Sequence, residues 1–244
     1  MTNYDYEERN EEIDKILKND ILIEEKERIP SINSFTFNKG YKVWVTAVFV
    51  DIRDSTNLIF NNKNQQEAFK IINSFTSEVI EIMHSNENYH DIGIRGDCVY
   101  GIFSSPFQED IYEATNVAFY INTFCKMLNK KLTQNDLKNI SIGIGVATSK
   151  TIVLKSGRKY KNINDNIWFG ESVSLASHLS NLANKKFSKP IIISSITYDN
   201  IINQMYRNNS EAKTWFIKEE YGKHEIFTCD IIKTEFKKWI ENNL

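Results

Sequence analysis

The chain has 244 residues, 41% hydrophobic and 12% aromatic, enough to bury one substantial core with at most a small appendage. A formal net charge of −2 gives no broad basic field for nucleic acid. No apolar run approaches the roughly 20 residues that cross a bilayer, so no membrane span is expected.

Residues 1–28 are dense in charge, and Ile13, Ile16 and Leu17 form only a thin apolar stripe. That predicts a short surface helix able to pack on a partner. Pro30 starts an extended lead-in to the apolar strand Val43–Val50. Between Asn64 and His84, apolar residues recur at Ala68, Ile72, Phe75, Val79 and Ile82, the spacing of one buried helical face. His90–Ile94 and Cys98–Phe103 read as a strand or hairpin with Arg95-Gly96 at the bend. After Pro106, the series Ile111, Ala114, Val117, Ala118, Ile121 to Leu128 traces a second long amphipathic helix. Ile140–Ala147 reads as a strand in which Gly143 and Gly145 predict a close backbone approach. Residues 150–168, rich in Lys, Asn and Ser, predict an exposed hairpin or arm. A helix from about Glu171 to Ala183, a strand Ile191–Ser194 and an aromatic strand around Glu225–Cys229 follow. Strand, helix, strand, strand, helix, strand is the order of a ferredoxin-like α+β sandwich. The expected organisation is a helix and lead-in over 1–40, one domain over 41–232, and a short helix or tail over 233–244.

The cysteines Cys98, Cys125 and Cys229 are odd in number and widely spaced. They read as buried thiols of a reducing compartment rather than a disulfide framework or zinc site. With no signal-like opening segment, a soluble cytoplasmic protein is expected.

Two segments carry the chemistry. The first strand runs into Asp51-Ile52-Arg53-Asp54-Ser55-Thr56, and Arg95-Gly96-Asp97 precedes the apolar run Cys98–Phe103. Each places a carboxylate at the edge of an apolar strand. Mg²⁺ and Mn²⁺ want oxygen ligands, and in phosphoryl chemistry they take one or two carboxylates and let substrate phosphates supply the rest. Ser55-Thr56 adds hydroxyls and backbone N–H groups where a helix can begin, a natural place for phosphate oxygens. Alone, Asp-x-x-Asp-Ser-Thr is more often a turn or helix cap, and Asp54 is read as one. Partnership with Asp97 gives the segment its meaning.

On these residues the sequence resembles the class III nucleotidyl cyclases. Ile142–Ala147 and the helix Gly170-Glu171-Ser172-Val173-Ser174-Leu175-Ala176-Ser177-His178-Leu179 extend the likeness over roughly residues 43–195. Arg28-Ile29-Pro30-Ser31, Phe49–Thr56, Arg95-Gly96-Asp97 and Trp168-x-Gly170 resemble most the bacterial pyrimidine cyclases of the Pycsar antiphage systems. The resemblance implies two divalent cations, Mn²⁺ or Mg²⁺, held by Asp51, Asp97 and the carbonyl of Ile52. It implies a ribonucleoside triphosphate contacted by Arg53, Ser55 and Thr56. It also implies a homodimer with composite sites, and a separate effector that responds to the cyclic nucleotide product in antiphage defence.

Two departures from the family pattern bear on substrate and mechanism. Purine cyclases choose their base with Lys and Asp, or Glu and Cys; by motif position those sites are Gly93 and Ile167, which cannot read a purine edge. Trp44 and Arg95 are the candidates for reading another base, from strand position and donor capacity. The family's ribose-steadying Asn falls at Ser174, and its transition-state Arg at His178, which is not a fixed cationic fork. Lys155 or Arg158 on the arm is the alternative cation. The expected reaction is UTP to 3′,5′-cyclic UMP and pyrophosphate. The competing readings are a cytidylate cyclase, a purine cyclase with a divergent base pocket, and an inactive nucleotide-binding module. No Gly-Gly-Asp/Glu-Glu-Phe hairpin of the dinucleotide cyclases is present.

Overall fold

A fourteen-residue strand, β2 (Lys39–Ile52), is the spine of the structure, a computed structural model that describes residues 4–31, 34–60, 65–158 and 163–244. Its apolar run is nearly unbroken because both faces are covered, and a strand buried on both sides loses polar alternation. Val48, Val50 and Ile52 face one helical layer, whereas Val43, Val45, Ala47 and Phe49 face the other. The first layer is α3 (Gln65–His84), α4 (Gln108–Gln134) and α6 (Ser195–Asn208). The second is α5 (Glu171–Leu182), packed on β2 and β5.

The sheet order is β3-β4-β2-β5-β7-β9-β8, built from β3 (Tyr89–Arg95), β4 (Cys98–Ser104), β5 (Ile142–Arg158), β7 (Ile191–Ser194), β8 (Phe216–Tyr221) and β9 (His224–Cys229). β2 pairs antiparallel with β4 on one side and β5 on the other, and β7 runs parallel to β5. Strands β3, β4, β2 and β5 with α3 and α4 are the expected ferredoxin-like core. In the 150–168 arm the far half of β5 pairs antiparallel with β6 (Ile163–Phe169), as expected of a hairpin; residues 159–162 lie outside the described residues.

Several details differ from the sequence reading. The buried face of α3 is Ala68, Ile71, Phe75, Val79 and Met83, with Ile72 and Ile82 only half-buried at its margins. A 3.6-residue period puts 71 and 72, or 82 and 83, on the same broad stripe, and the lie of the helix on the sheet chooses between them. The β3–β4 bend is Gly96-Asp97, one residue later than expected; Arg95 pairs with Cys98, and Gly96 takes the left-handed φ of +65° that suits glycine. The surface helix α1 (Tyr6–Leu17) is present, with no buried residue, but an unexpected strand β1 (Leu22–Glu25) follows and pairs parallel with the start of β2. Its charges are what an exposed edge strand carries: Glu24 meets Lys39 at 2.8 Å, and Glu25 meets Lys150. Helix α6, capped by Ser194, and strand β8 were not foreseen either. A closing helix α7 (Thr234–Asn243) buries Ile240 and lies against α4. Cys125 and Cys229 are buried as expected, and Cys98 is half-buried; all three are free thiols.

Candidate active site

Two short connections build the site. β2 ends at Ile52 and turns through Arg53-Asp54 into the short helix α2 (Ser55–Phe60), while the β3–β4 turn presents Asp97. Register brings them together: Val50 pairs with Val99, so one step further the chain sets Asp51 alongside the turn. The result is an open cleft of about 480 Å³ lined by Asp51, Ile52, Arg53, Asp54, Ser55, Thr56, Asn57, Asp97, Asn181, Asn184 and Lys185.

Asp51 is under strong electrostatic tension. Burial pushes its carboxyl up to about 6 from an ordinary 3.8. The Arg53 guanidinium opposes that shift, Asp97 adds to it by like charge and a shared hydrogen bond, and Lys185 opposes it more weakly. Arg53 Nη2 donates to Asp51 Oδ2 at 2.6 Å, and Nη1 donates to the Asn181 carbonyl at 3.0 Å. Arg53 thus ties the carboxylate strand to the end of α5, while its own Nε is buried without a partner among the described residues. The neighbouring Cys98 thiol is pushed up to about 12, chiefly by burial and then by Asp51 and Asp97, so it stays protonated and unreactive.

Glycines set how close α5 comes. A Cβ at Gly145 would collide with the backbone of Ala176 and Ser180, and one at Gly143 would lie 2.8 Å from the Ala183 carbonyl and 2.9 Å from Arg53 Cζ. The close approach expected at these two positions is the one that seats α5 directly on β5.

Of the residues singled out from sequence, Asp51, Ile52, Arg53, Ser55, Thr56 and Asp97 share the cleft; Ser174, His178, Arg95, Trp44, Gly93 and Ile167 do not line it. Ser174 and His178 lie four residues apart on the exposed side of α5, and Ser174 Oγ donates back to the Glu171 carbonyl at 3.2 Å. Trp44 lies seven residues before Asp51 on β2, on the order of 20 Å along the strand. Arg95 is exposed and has no ion pair among the described residues; the nearby Asp91 accepts from Trp168 Nε1 at 3.0 Å. Arg158 lines a separate groove beside α1 with Glu12, Lys15 and Ile16. Arg28, read as part of the family likeness, bridges Asn88 and Asp110 at the start of α4 and so anchors the lead-in. Sequence reasoning missed Asn181, Asn184 and Lys185. Helical spacing held a signal for Asn181 alone, three residues after His178 on α5; Asn184 and Lys185 lie beyond the helix end at Leu182.

The donor set suits hard divalent cations. Two carboxylates converge in the cleft, and among the described residues no group of three or more His, Cys, Asp or Glu could hold a metal. A cation there would draw its remaining ligands from Ile52, water and substrate phosphates, the habit of Mg²⁺ and its chemical neighbours.

Comparison with known proteins agrees with this geometry. The adenylate and guanylate cyclase catalytic domain family matches residues 39–232. A uridylate cyclase of Treponema porcinum is 40% identical over 243 residues, covering 99% of this chain and 82% of that protein. A uridylate cyclase of Gulbenkiania mobilis is 31% identical, covering 98% of this chain and 97% of that one. Among solved structures, the adenylyl cyclase CyaB of P. aeruginosa shares the fold with a TM-score of 0.62 at 20% identity, covering 78% of this chain and 95% of that one.

Proposed function

The chain belongs to the adenylate and guanylate cyclase catalytic domain family, and from that premise we propose that it cyclises UTP to 3′,5′-cyclic UMP with release of pyrophosphate. The observation that carries the chemistry is the convergence of Asp51 and Asp97 in one open cleft. The choice of base is supported by the absence of a polar reader at Gly93 and Ile167, and by full-length similarity to two uridylate cyclases. Divalent cations bound there would acidify the ribose 3′-hydroxyl and neutralise charge on the phosphates.

The chain's own residues do the rest. Asp51 and Asp97 supply the anionic floor of the cleft, and Arg53 holds Asp51 in place while tying it to α5. The Lys185 ammonium and the Ser55 and Thr56 hydroxyls give the triphosphate a cationic and hydrogen-bonding wall. Holding the 3′-hydroxyl in line with the α-phosphorus supplies most of the acceleration in a transfer of this kind. Ser174 and His178 complete the site from a second copy. Their exposure on α5, away from this chain's cleft, supports a head-to-tail homodimer in which each copy contributes one half to each site. His178 steadies charge on the transferring phosphate, and Ser174 the ribose. The product is read by a separate cyclic-nucleotide-responsive effector, as in antiphage signalling.

Pure protein given each ribonucleoside triphosphate with Mn²⁺, its products identified by mass, tests the proposal. Cyclic UMP is expected to dominate; dominant conversion of ATP or GTP would overturn it.

A further inference from the structure

We propose that Tyr100 is the specificity-determining residue of the base site, filling with its phenol ring the space that a purine's second ring would need. The inference rests on the pyrimidine reading above and names the group that enforces it. Gly93 and Tyr100 are direct partners across the β3–β4 hairpin, so their side-chain directions share one face of the sheet. It is the face of Phe49, with which Tyr100 is paired on β4's other side. The phenol leans across the pair onto Gly93. A Cβ built at Gly93 would lie 2.5 Å from Tyr100 Cζ and 2.6 Å from Cε1, and closer still to the hydroxyl. A side chain at 93 and this placement of Tyr100 therefore exclude each other. Where a purine reader would project, the chain substitutes a ring held from the neighbouring strand.

The ring is fixed from below. It stacks on Phe49 with centroids 5.3 Å apart and planes 17° from parallel, and Phe49 is itself buried. Beside it, Asp91 is pinned by Trp168 Nε1. Burial, then Asp91 and Asp165, push the phenol's pKa up, so the hydroxyl stays neutral and can both donate and accept. A neutral group of that kind suits the edge of a pyrimidine, which offers acceptor oxygens and either an N–H or an acceptor nitrogen. A ring wedged against a second aromatic cannot yield to a bicyclic base without losing its stacking. Tyr100 is only half-buried, so the ring remains reachable by a substrate bound between copies.

The test is kcat/KM for UTP, CTP, ATP and GTP in wild type, Tyr100→Ala and Tyr100→Phe, with thermal melts for each. Tyr100→Ala is expected to lower the preference for UTP over ATP and GTP by about tenfold or more, mainly through a lower KM for the purines. Tyr100→Phe keeps the ring and holds that preference within about threefold of wild type, while shifting the UTP-to-CTP ratio. If Tyr100→Ala does not fold, Tyr100→Leu tests the same volume, with a smaller shift in the same direction. A folded Ala or Leu variant with the wild-type pyrimidine-to-purine ratio would overturn the assignment. A wild-type enzyme that prefers a purine would instead overturn the pyrimidine reading itself, an outcome visible before any variant is made.

Discussion

The cleft at the end of β2 and the outward side of α5 are, on the proposed function, two halves of one chemistry, yet Ser174 and His178 do not line the cleft of their own chain. The cleft is anionic, partly buried and tightly tied, with Arg53 clamped to Asp51 and to the Asn181 carbonyl. Ser174 and His178 are exposed, and Ser174 Oγ donates back to the Glu171 carbonyl of its own helix. A metal-binding pair needs rigid convergence, which one fold can supply. A group that steadies charge on the far side of the substrate must face the cleft from outside, which in the proposed homodimer a second copy would supply.

Breaking the cleft should have the largest effect. Asp51→Ala or Asp97→Ala is expected to abolish turnover while leaving the fold intact, because each removes one arm of a shared cation clamp. It should also abolish the rise in melting temperature expected when Mn²⁺ is added to the wild type. Activity surviving in either variant at saturating Mn²⁺ would mean the metal site lies elsewhere.

Breaking the α5 half should be milder and differently expressed. His178→Ala is expected to lower kcat on the order of a hundredfold with little change in KM, the mark of a contact made mainly in the transition state. His178→Arg should hold or raise the rate, since Arg stays charged and can bind two oxygens. A wild-type kcat for His178→Ala would reduce the residue to helix surface.

The tie between the halves gives the next effect down. Arg53→Ala leaves a buried carboxylate without its cation and is expected to cost about 3 kcal/mol of stability in metal-free protein, measured by denaturant unfolding. The sign of the pH dependence follows from Asp51. Its folded carboxyl holds a proton to about pH 6 and the unfolded one only to 3.8. Between those values the native state binds more protons, so metal-free protein should lose roughly 2–3 kcal/mol as pH rises from about 4 to 6. Asp51→Asn should flatten that slope; an unchanged slope would assign it to other groups. Trp168→Phe, which frees Asp91 beside the base face, should cost only about 1 kcal/mol.

The two regions also differ in how far the sequence exposes them. Asp51 and Asp97 each follow or precede an apolar strand and could be found by local pattern, and the glycines at 143 and 145 announced the seating of α5. Tyr100 could not be found that way: its importance comes from leaning on a glycine seven residues earlier in sequence, a fact of pairing register rather than of motif. Lys185 was hidden because it lies past the end of α5, outside the matched helix. β1 was hidden because its charges read as surface, although an edge strand beside Lys39 and Lys150 is where such charges belong. In α3, the choice of Ile71 over Ile72 depended on the angle at which the helix meets the sheet, which periodicity alone does not contain.

The central claim, that a working site takes the cleft of one copy and α5 of another, is tested most directly by mixing two inactive proteins. Asp97→Ala keeps an intact α5, and His178→Glu keeps an intact cleft while placing a negative charge where the phosphate must be steadied. If the halves come from different copies, mixing equal amounts should restore about a quarter of wild-type activity, because half the dimers are mixed and each holds one sound site of two. If both halves lie in one chain, the mixture will be as inactive as its components.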